Sequence, residues 1–164
     1  MFLTTIYWSP LGTIVIESDG EMLTGLRFED GSVATFMEKQ AAASADSGAG
    51  ADAVFAEVRQ WLDDYFGGNQ PLKVPRMNPP GTDFQRHVWQ MLFTIQYGQT
   101  KTYGEVARMV GCRSARAVGQ AIGHNPIALV IPCHRVIAAD GTLGGYAYGT
   151  ERKQRLLAFE TNKR

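Results

Sequence analysis

The sequence predicts two modules: an α/β N-terminal domain, built as a small antiparallel sheet plus a helix over residues 1–78, and a mainly helical helix-turn-helix C-terminal domain over residues 79–164. Three observations carry this reading. Runs rich in β-branched and aromatic residues dominate the first thirty positions, and helical spacing dominates beyond position 81. The charge also changes sign between the two parts. Residues 1–79 hold 5 Lys/Arg and 11 Asp/Glu, whereas residues 80–164 hold 11 and 5. The net charge of zero therefore conceals −6 and +6, and His87, His124 and His134 all lie in the basic part. Such a split suggests that a polyanion, a nucleic acid before others, would meet only the C-terminal module; the alternative is a merely uneven surface charge.

In the first module, Phe2 to Trp8, Thr13 to Ser18 and Met22 to Phe28 read as strands. They are separated by the turn Ser9-Pro10-Leu11-Gly12 and by the hairpin signal Asp19-Gly20. Residues 41–53 are low in complexity and bury little, which predicts a mobile loop. A helix is expected from about Val54 to Phe66, with Phe55, Val58, Leu62, Tyr65 and Phe66 on one stripe and Gly67-Gly68 as its stop. The four prolines within residues 69–81 predict a linker.

The second module opens on a capping box, Thr82 with Gln85, ahead of an amphipathic helix carrying Phe84, Val88, Trp89, Leu92 and Ile95 and ending at Tyr97-Gly98. A shorter helix fits Tyr103 to Met109, closed by Gly111. After the turn Cys112-Arg113-Ser114, another fits Ala115 to Ile122. Two short helices around a glycine-containing turn form a helix-turn-helix pattern. The second carries Arg116 at its start and then small residues, Ala117, Gly119 and Ala121. Two readings fit that composition equally: close contact with a narrow groove of DNA, with Arg116 as the one long probe, or tight packing in a core. A last helix is expected from Glu151 to about Glu160, capped by Thr150.

No apolar run approaches the roughly 18 residues of a membrane span, and no signal peptide is visible at the N-terminus. Two cysteines, Cys112 and Cys133, make no disulfide framework and no C-x-x-C pair. A reducing, cytoplasmic setting is the simplest expectation, with no metal and no cofactor.

Chemistry concentrates in Ile127-Ala128-Leu129-Val130-Ile131-Pro132-Cys133-His134-Arg135-Val136-Ile137. An apolar run that reads as a buried strand stops at a proline, and a thiol, an imidazole and a guanidinium follow. A thiol is a useful nucleophile only as thiolate, which a neighbouring base or positive field produces. The bland alternative is a small buried cysteine at a strand end. Glu160 likewise reads either as a partner for a histidine or as a solvated carboxylate.

This run, from Asn125-Pro126 to Ile137, resembles the active-site signature of the O6-alkylguanine-DNA alkyltransferases, also called methylated-DNA–protein-cysteine methyltransferases. Thr82-Asp83-Phe84-Gln85, Val88-Trp89, Tyr97-Gly98, Thr102 to Ala107, Ala115 to Gly119, Gly145-Tyr146 and Leu156-Leu157 with Glu160 match in the same order. The resemblance is dense over residues 82–160; before them only Ser9-Pro10-Leu11-Gly12 and the general length match. It implies a ribonuclease H-like N-terminal domain and a winged C-terminal domain. It also implies single-turnover transfer of an alkyl group, mainly methyl, from guanine O6 in DNA, with O4-alkylthymine as a second substrate, to Cys133.

In that scheme His134 takes the thiol proton through a water and Glu160 orients the imidazole. Tyr103 serves the leaving guanine and crowds a phosphate. Asn125 holds the turn before the active-site strand, and Arg116 fills the place of the extruded nucleotide. Ala115, Ala117 and Gly119 would approach the DNA, while Arg135, Val136, Tyr146, Ala147 and Tyr148 would wall the substrate pocket. Gln96, Ala147 and Tyr148 depart from the family pattern, which has proline, often serine, and glycine there; a tyrosine at the rim would either exclude bulky alkyl groups or occupy the pocket itself. A monomer is expected, with cooperative loading on DNA left open. Two rivals remain: a sensor that binds alkylated DNA without repairing it, and a Cys-His hydrolase acting on a small molecule.

Overall fold

In the computed structural model, which describes residues 2–30 and 49–161, β1 (Leu3–Ser9), β2 (Gly12–Ser18) and β3 (Leu23–Glu29) form an antiparallel sheet in the order β1-β2-β3. Pairings such as Tyr7 with Ile14 and Ile14 with Phe28 place alternate residues on a common face. That face presents Ile14, Ile16, Leu26 and Phe28, all buried. The helix α1 (Ala49–Phe66) covers the sheet with Val54, Phe55, Val58, Leu62 and Tyr65. Each fully buried aliphatic side chain here contributes on the order of 2 kcal/mol. Polar ties fix the helix along β1: Arg59 donates to Thr5 Oγ1 and to the Ile6 carbonyl, and Tyr7 donates to Asp63 at 2.7 Å.

Two expectations in this unit change. The predicted loop 41–53 lies outside the described residues as far as 48, and from Ala49 the chain is already helical, five residues before the predicted start. The predicted linker is partly sheet. Leu23 donates to the Arg76 carbonyl and accepts from the Asn78 amide, forming a parallel bridge to Met77. Proline spacing concealed this because Pro75 and Pro79 flank the paired residues and remove no donor from them.

The chain divides into two compact units, Met1–Pro80 and Gly81–Arg164. The second begins with α2 (Asp83–Leu92), whose capping box is formed in both directions, Gln85 N to Thr82 Oγ1 and Thr82 N to Gln85 Oε1. This helix ends earlier than its apolar spacing predicts. Thr94 and Ile95 bond back three residues, to the Met91 and Leu92 carbonyls, and the Thr94 hydroxyl also takes the Met91 carbonyl. Ile95 stays buried, so the periodicity survives while the helix does not.

The helix-turn-helix comprises α3 (Tyr103–Val110) and α4 (Ala115–Gly123). Gly111 ends α3 at φ 72°, a left-handed cap that glycine adopts without steric cost. Ser114 caps α4 by accepting from the Ala117 amide. Val88, Leu92, Val106, Val118, Ala121 and Ile122 form the core, and the Trp89 indole donates to the Ala121 carbonyl at 2.8 Å, locking α2 to α4. The strand component is a two-residue parallel pair, β4 (Lys101–Thr102) with β5 (Val136–Ile137). It joins the start of α3 to the segment just after Cys133. The last helix, α5 (Thr150–Thr161), includes the residue expected to cap it.

Candidate active site

Residues Ile127 to Ile131 are all buried, yet they are not the strand their composition predicts. The Asn125 side chain replaces a strand partner. Its Nδ2 donates to the Ile131 carbonyl and its Oδ1 accepts from the Ile127 amide, each at 2.9 Å. The chain between them turns tightly, and Leu129 adopts φ 69°, a left-handed conformation rare for a branched residue. The loop thus delivers Pro132 and Cys133 from a rigid, fully packed base.

Cys133–Arg135 form a single 3₁₀ turn rather than an extended strand end. Successive side chains in such a turn point about 120° apart. Cys133 faces a cavity, whereas His134 and Arg135 turn back onto α5. There His134 Nε2 lies 2.7 Å from Glu160 Oε2, and Arg135 Nε donates to Glu160 Oε1 at 2.6 Å. Arg135 Nη1 also donates to the Ile95 carbonyl, which fixes the guanidinium. Burial works to raise the Glu160 carboxyl, but the bonds and charges of His134 and Arg135 prevail and bring it down to about 2. Burial also pushes the His134 imidazole below its ordinary range; Glu160 resists this, while Arg135 and Lys153 add to it.

At neutral pH the pair is therefore a carboxylate and a neutral imidazole. A carboxylate only accepts, so Nε2 carries the proton and Nδ1 keeps a free lone pair. That Nδ1 is buried with no hydrogen-bond partner among the described residues. Burial raises the Cys133 thiol, opposed by Asn125, Lys153 and the local backbone amides. The resting site thus pairs a neutral thiol with a neutral base.

The cavity, about 240 Å³, is lined by Tyr103 from α3, Gly119, Ile122 and Gly123 from α4, Asn125, Cys133, and the loop Gly145 to Tyr148. A Cβ at Gly119 would meet the Tyr103 ring at 3.7 Å, an ordinary van der Waals contact, so packing against Tyr103 does not by itself demand glycine there. Burial and the Cys133 charge hold the Tyr103 phenol above its usual range, so it remains a proton donor. Tyr146 and Tyr148 meet edge to face, with centroids 5.5 Å apart.

The structure brings Cys133, His134, Glu160, Asn125 and Tyr103 together, with Tyr146, Ala147 and Tyr148 in the cavity wall. It does not bring Arg135 and Val136 to that wall, a correction to the expected pocket. Arg135 is spent on Glu160 and Ile95, and Val136 is fully buried in β5. Of the residues expected to meet DNA, Ala115 and Arg116 are exposed at the start of α4, Ala117 is half-buried, and Gly119 faces the cavity. Arg116 makes no hydrogen bond or ion pair with any described residue, so its guanidinium is available to a partner.

Sequence reasoning missed Ile122, Gly123 and, above all, Lys153. The signal for Lys153 was present: Lys153, Leu156 and Glu160 share one helical face, and all three are buried. A lysine on an apolar stripe is an anomaly of the kind that marks function. Among the described residues no cluster of three His, Cys, Asp or Glu side chains could hold a metal ion, and no helix is long and apolar enough to cross a membrane.

A helix-turn-helix unit that houses a cysteine beside an imidazole–carboxylate pair defines a DNA-binding class of protein that carries its own nucleophile. Comparisons with known proteins specify which. Residues 83–162 match the DNA-binding domain of 6-O-methylguanine DNA methyltransferase, and residues 2–73 match its ribonuclease-like domain. The chain belongs to this family. It is 42% identical over 156 residues to a methylated-DNA–protein-cysteine methyltransferase of Mycobacterium bovis, covering 94% of this chain and 90% of the relative. A Methanosarcina acetivorans protein of the same name is 40% identical, covering 94% and 96%. The crystal structure of Mycobacterium tuberculosis O6-methylguanine methyltransferase superposes with a TM-score of 0.81 at 38% identity, covering 100% and 95%. A crystal structure of the Mycobacterium tuberculosis protein in complex with DNA gives 0.79 at 38% identity, covering 98% and 92%.

Proposed function

We propose that this protein repairs DNA by direct reversal, moving an alkyl group, mainly methyl, from O6 of guanine in double-stranded DNA onto Cys133 Sγ. O4-alkylthymine is the second substrate. The carbon–O6 bond breaks as the sulfur–carbon bond forms, and the guanine leaves with its electron pair. A thioether is not cleaved again, so each molecule acts once.

The observation that carries this reading is a buried thiol in a base-sized cavity directly before His134, whose Nε2–Glu160 bond leaves Nδ1 as acceptor. The thiol proton passes through a bridging water to Nδ1, giving an imidazolium balanced by Glu160. Attack at an sp³ carbon favours a soft, polarizable nucleophile, and thiolate is the best that side chains offer. Tyr103, held neutral beside Cys133, donates toward the departing guanine. Extrusion of the nucleotide is required because a stacked base cannot reach a walled cavity. The exposed N-terminus of α4 supports the approach to DNA, with Arg116 entering the stack. The protein acts in the cytoplasm, as a monomer and without a cofactor.

Incubation with duplex DNA containing O6-methylguanine should add the mass of one methylene to Cys133, and Cys133→Ser should remain unmodified. Tight binding of that DNA with an unmodified wild-type cysteine would select the sensor instead.

A further inference from the structure

The ammonium of Lys153 is the anomaly of the second unit. The side chain is fully buried, and no carboxylate among the described residues forms an ion pair with it. An ammonium has three donors. Two are used on the wall loop, to the carbonyls of Leu143 and of Gly145, the latter at 3.1 Å. Nζ also stands 5.7 Å from the centroid of the Tyr103 ring, the aromatic wall of the same cavity. A buried cation without an anion is costly, and such a charge persists where an anion appears.

We propose that Lys153 is a positioning residue whose ammonium serves as the standing counter-charge for the Cys133 thiolate, while its two carbonyl bonds hold the Leu143–Gly145 loop against Tyr103. The proposal rests on Cys133 being the acceptor and adds the source of its ionisation. His134 removes the proton; Lys153 keeps the resulting sulfur charge affordable in a dry cavity. The ionisable side chains that sense the Cys133 charge are Tyr103 on α3, Tyr146 on the loop and Lys153 on α5, with His134 next in the chain. Both tyrosines are held protonated above their usual range, so Lys153 supplies the positive charge. Burial brings Lys153 down to about 8, and the Cys133 charge acts in the opposite sense, the reciprocal of the effect of Lys153 on the thiol.

The test follows alkylation of Cys133 by iodoacetamide from pH 5 to 10, read by peptide mass spectrometry, in the wild type, Lys153→Met and Lys153→Arg. Cys112, outside the cavity wall, is the internal reference. The Cys133 midpoint should rise by about one pH unit in Lys153→Met, slowing reaction below it about tenfold. Lys153→Arg should recover part of the shift, and Cys112 should not move. An unchanged Cys133 midpoint with a uniformly slower rate would make Lys153 structural and overturn the proposal. If Lys153→Met does not fold, the titration of ¹⁵N-labelled lysines by NMR decides. The Lys153 midpoint should be lower in Cys133→Ser than in the wild type, and equal midpoints overturn the proposal. Neither probe involves DNA. Normal midpoint shifts with no methyl transfer would therefore count against the repair reading alone.

Discussion

His134 Nε2 and Glu160 Oε2 lie 2.7 Å apart with both side chains excluded from water, and this contact fixes which imidazole nitrogen carries the proton. His134 and Arg135 keep the Glu160 carboxylate charged, burial keeps the imidazole neutral, and the contact leaves the lone pair on Nδ1. Two pH dependences follow. Glu160 titrates near 2 when folded against 4.5 ordinarily. Its stabilising contribution, on the order of 3 kcal/mol, is fully present above pH 4.5 and is lost as pH falls toward about 2. His134 lies below 6.5, so the single-turnover rate of methyl transfer should hold as pH falls through 6.5 and decline only beneath it. A rate that halves at 6.5 would show a solvated histidine. Glu160→Gln should flatten the acid loss of stability seen in urea melts and slow transfer at least tenfold.

Asn125→Ala removes both bonds that bracket Ile127 to Ile131 and strands a buried amide and a buried carbonyl. Each orphaned group costs about 1–3 kcal/mol. The variant should lose about 3 kcal/mol of stability by chemical denaturation, and amide exchange should accelerate at Ile127 before the α2–α4 core.

Arg116→Ala should separate binding from chemistry. Arg116 is exposed and the cavity is built without it, so reaction with free O6-benzylguanine should be unchanged while repair of a methylated duplex falls about tenfold or more. Equal losses on both substrates would assign Arg116 to the fold. Duplex affinity should also fall steeply with salt, because basic residues displace counterions from phosphate.

Tyr148 shares the cavity wall with Tyr146 and narrows it. Tyr148→Gly should raise the rate with O6-benzylguanine about tenfold or more and leave O6-methylguanine within about twofold, since a benzyl group needs the space that the ring occupies. Competition assays with both substrates read this directly. Equal acceleration of both would mean that the ring acts on entry of the base.

Local signals in the sequence foretold the fold well. The Asp19-Gly20 hairpin, the Thr82–Gln85 box and the Gly111 stop are physical instructions acting over a few residues, and each appears as read. Composition alone does not distinguish a buried strand from a buried coil, so Ile127 to Ile131 reads as a strand and folds as a turn; what decides is whether a side chain such as Asn125 can satisfy the backbone. The 3₁₀ turn at Cys133 is equally invisible to composition. It moves His134 and Arg135 onto Glu160 instead of alternating them across a strand. Cys133, His134, Glu160, Tyr103 and Asn125 were legible through motif and resemblance. The burial of Lys153 was signalled by the apolar face it shares with Leu156, but its partners were not, because no spacing rule connects it to two carbonyls of the preceding loop.

Leu129 leaves a lasting consequence. Its backbone, at φ 69°, favours glycine or asparagine, while its buried position favours a large apolar side chain. Glycine would relax the turn and empty the core, valine and isoleucine would worsen the strain, and asparagine would bring an amide into a dry interior. One residue therefore carries two incompatible demands four positions before the nucleophile. In an exhaustive substitution library this site should be among the least forgiving in the chain, although its side chain takes part in no chemical step.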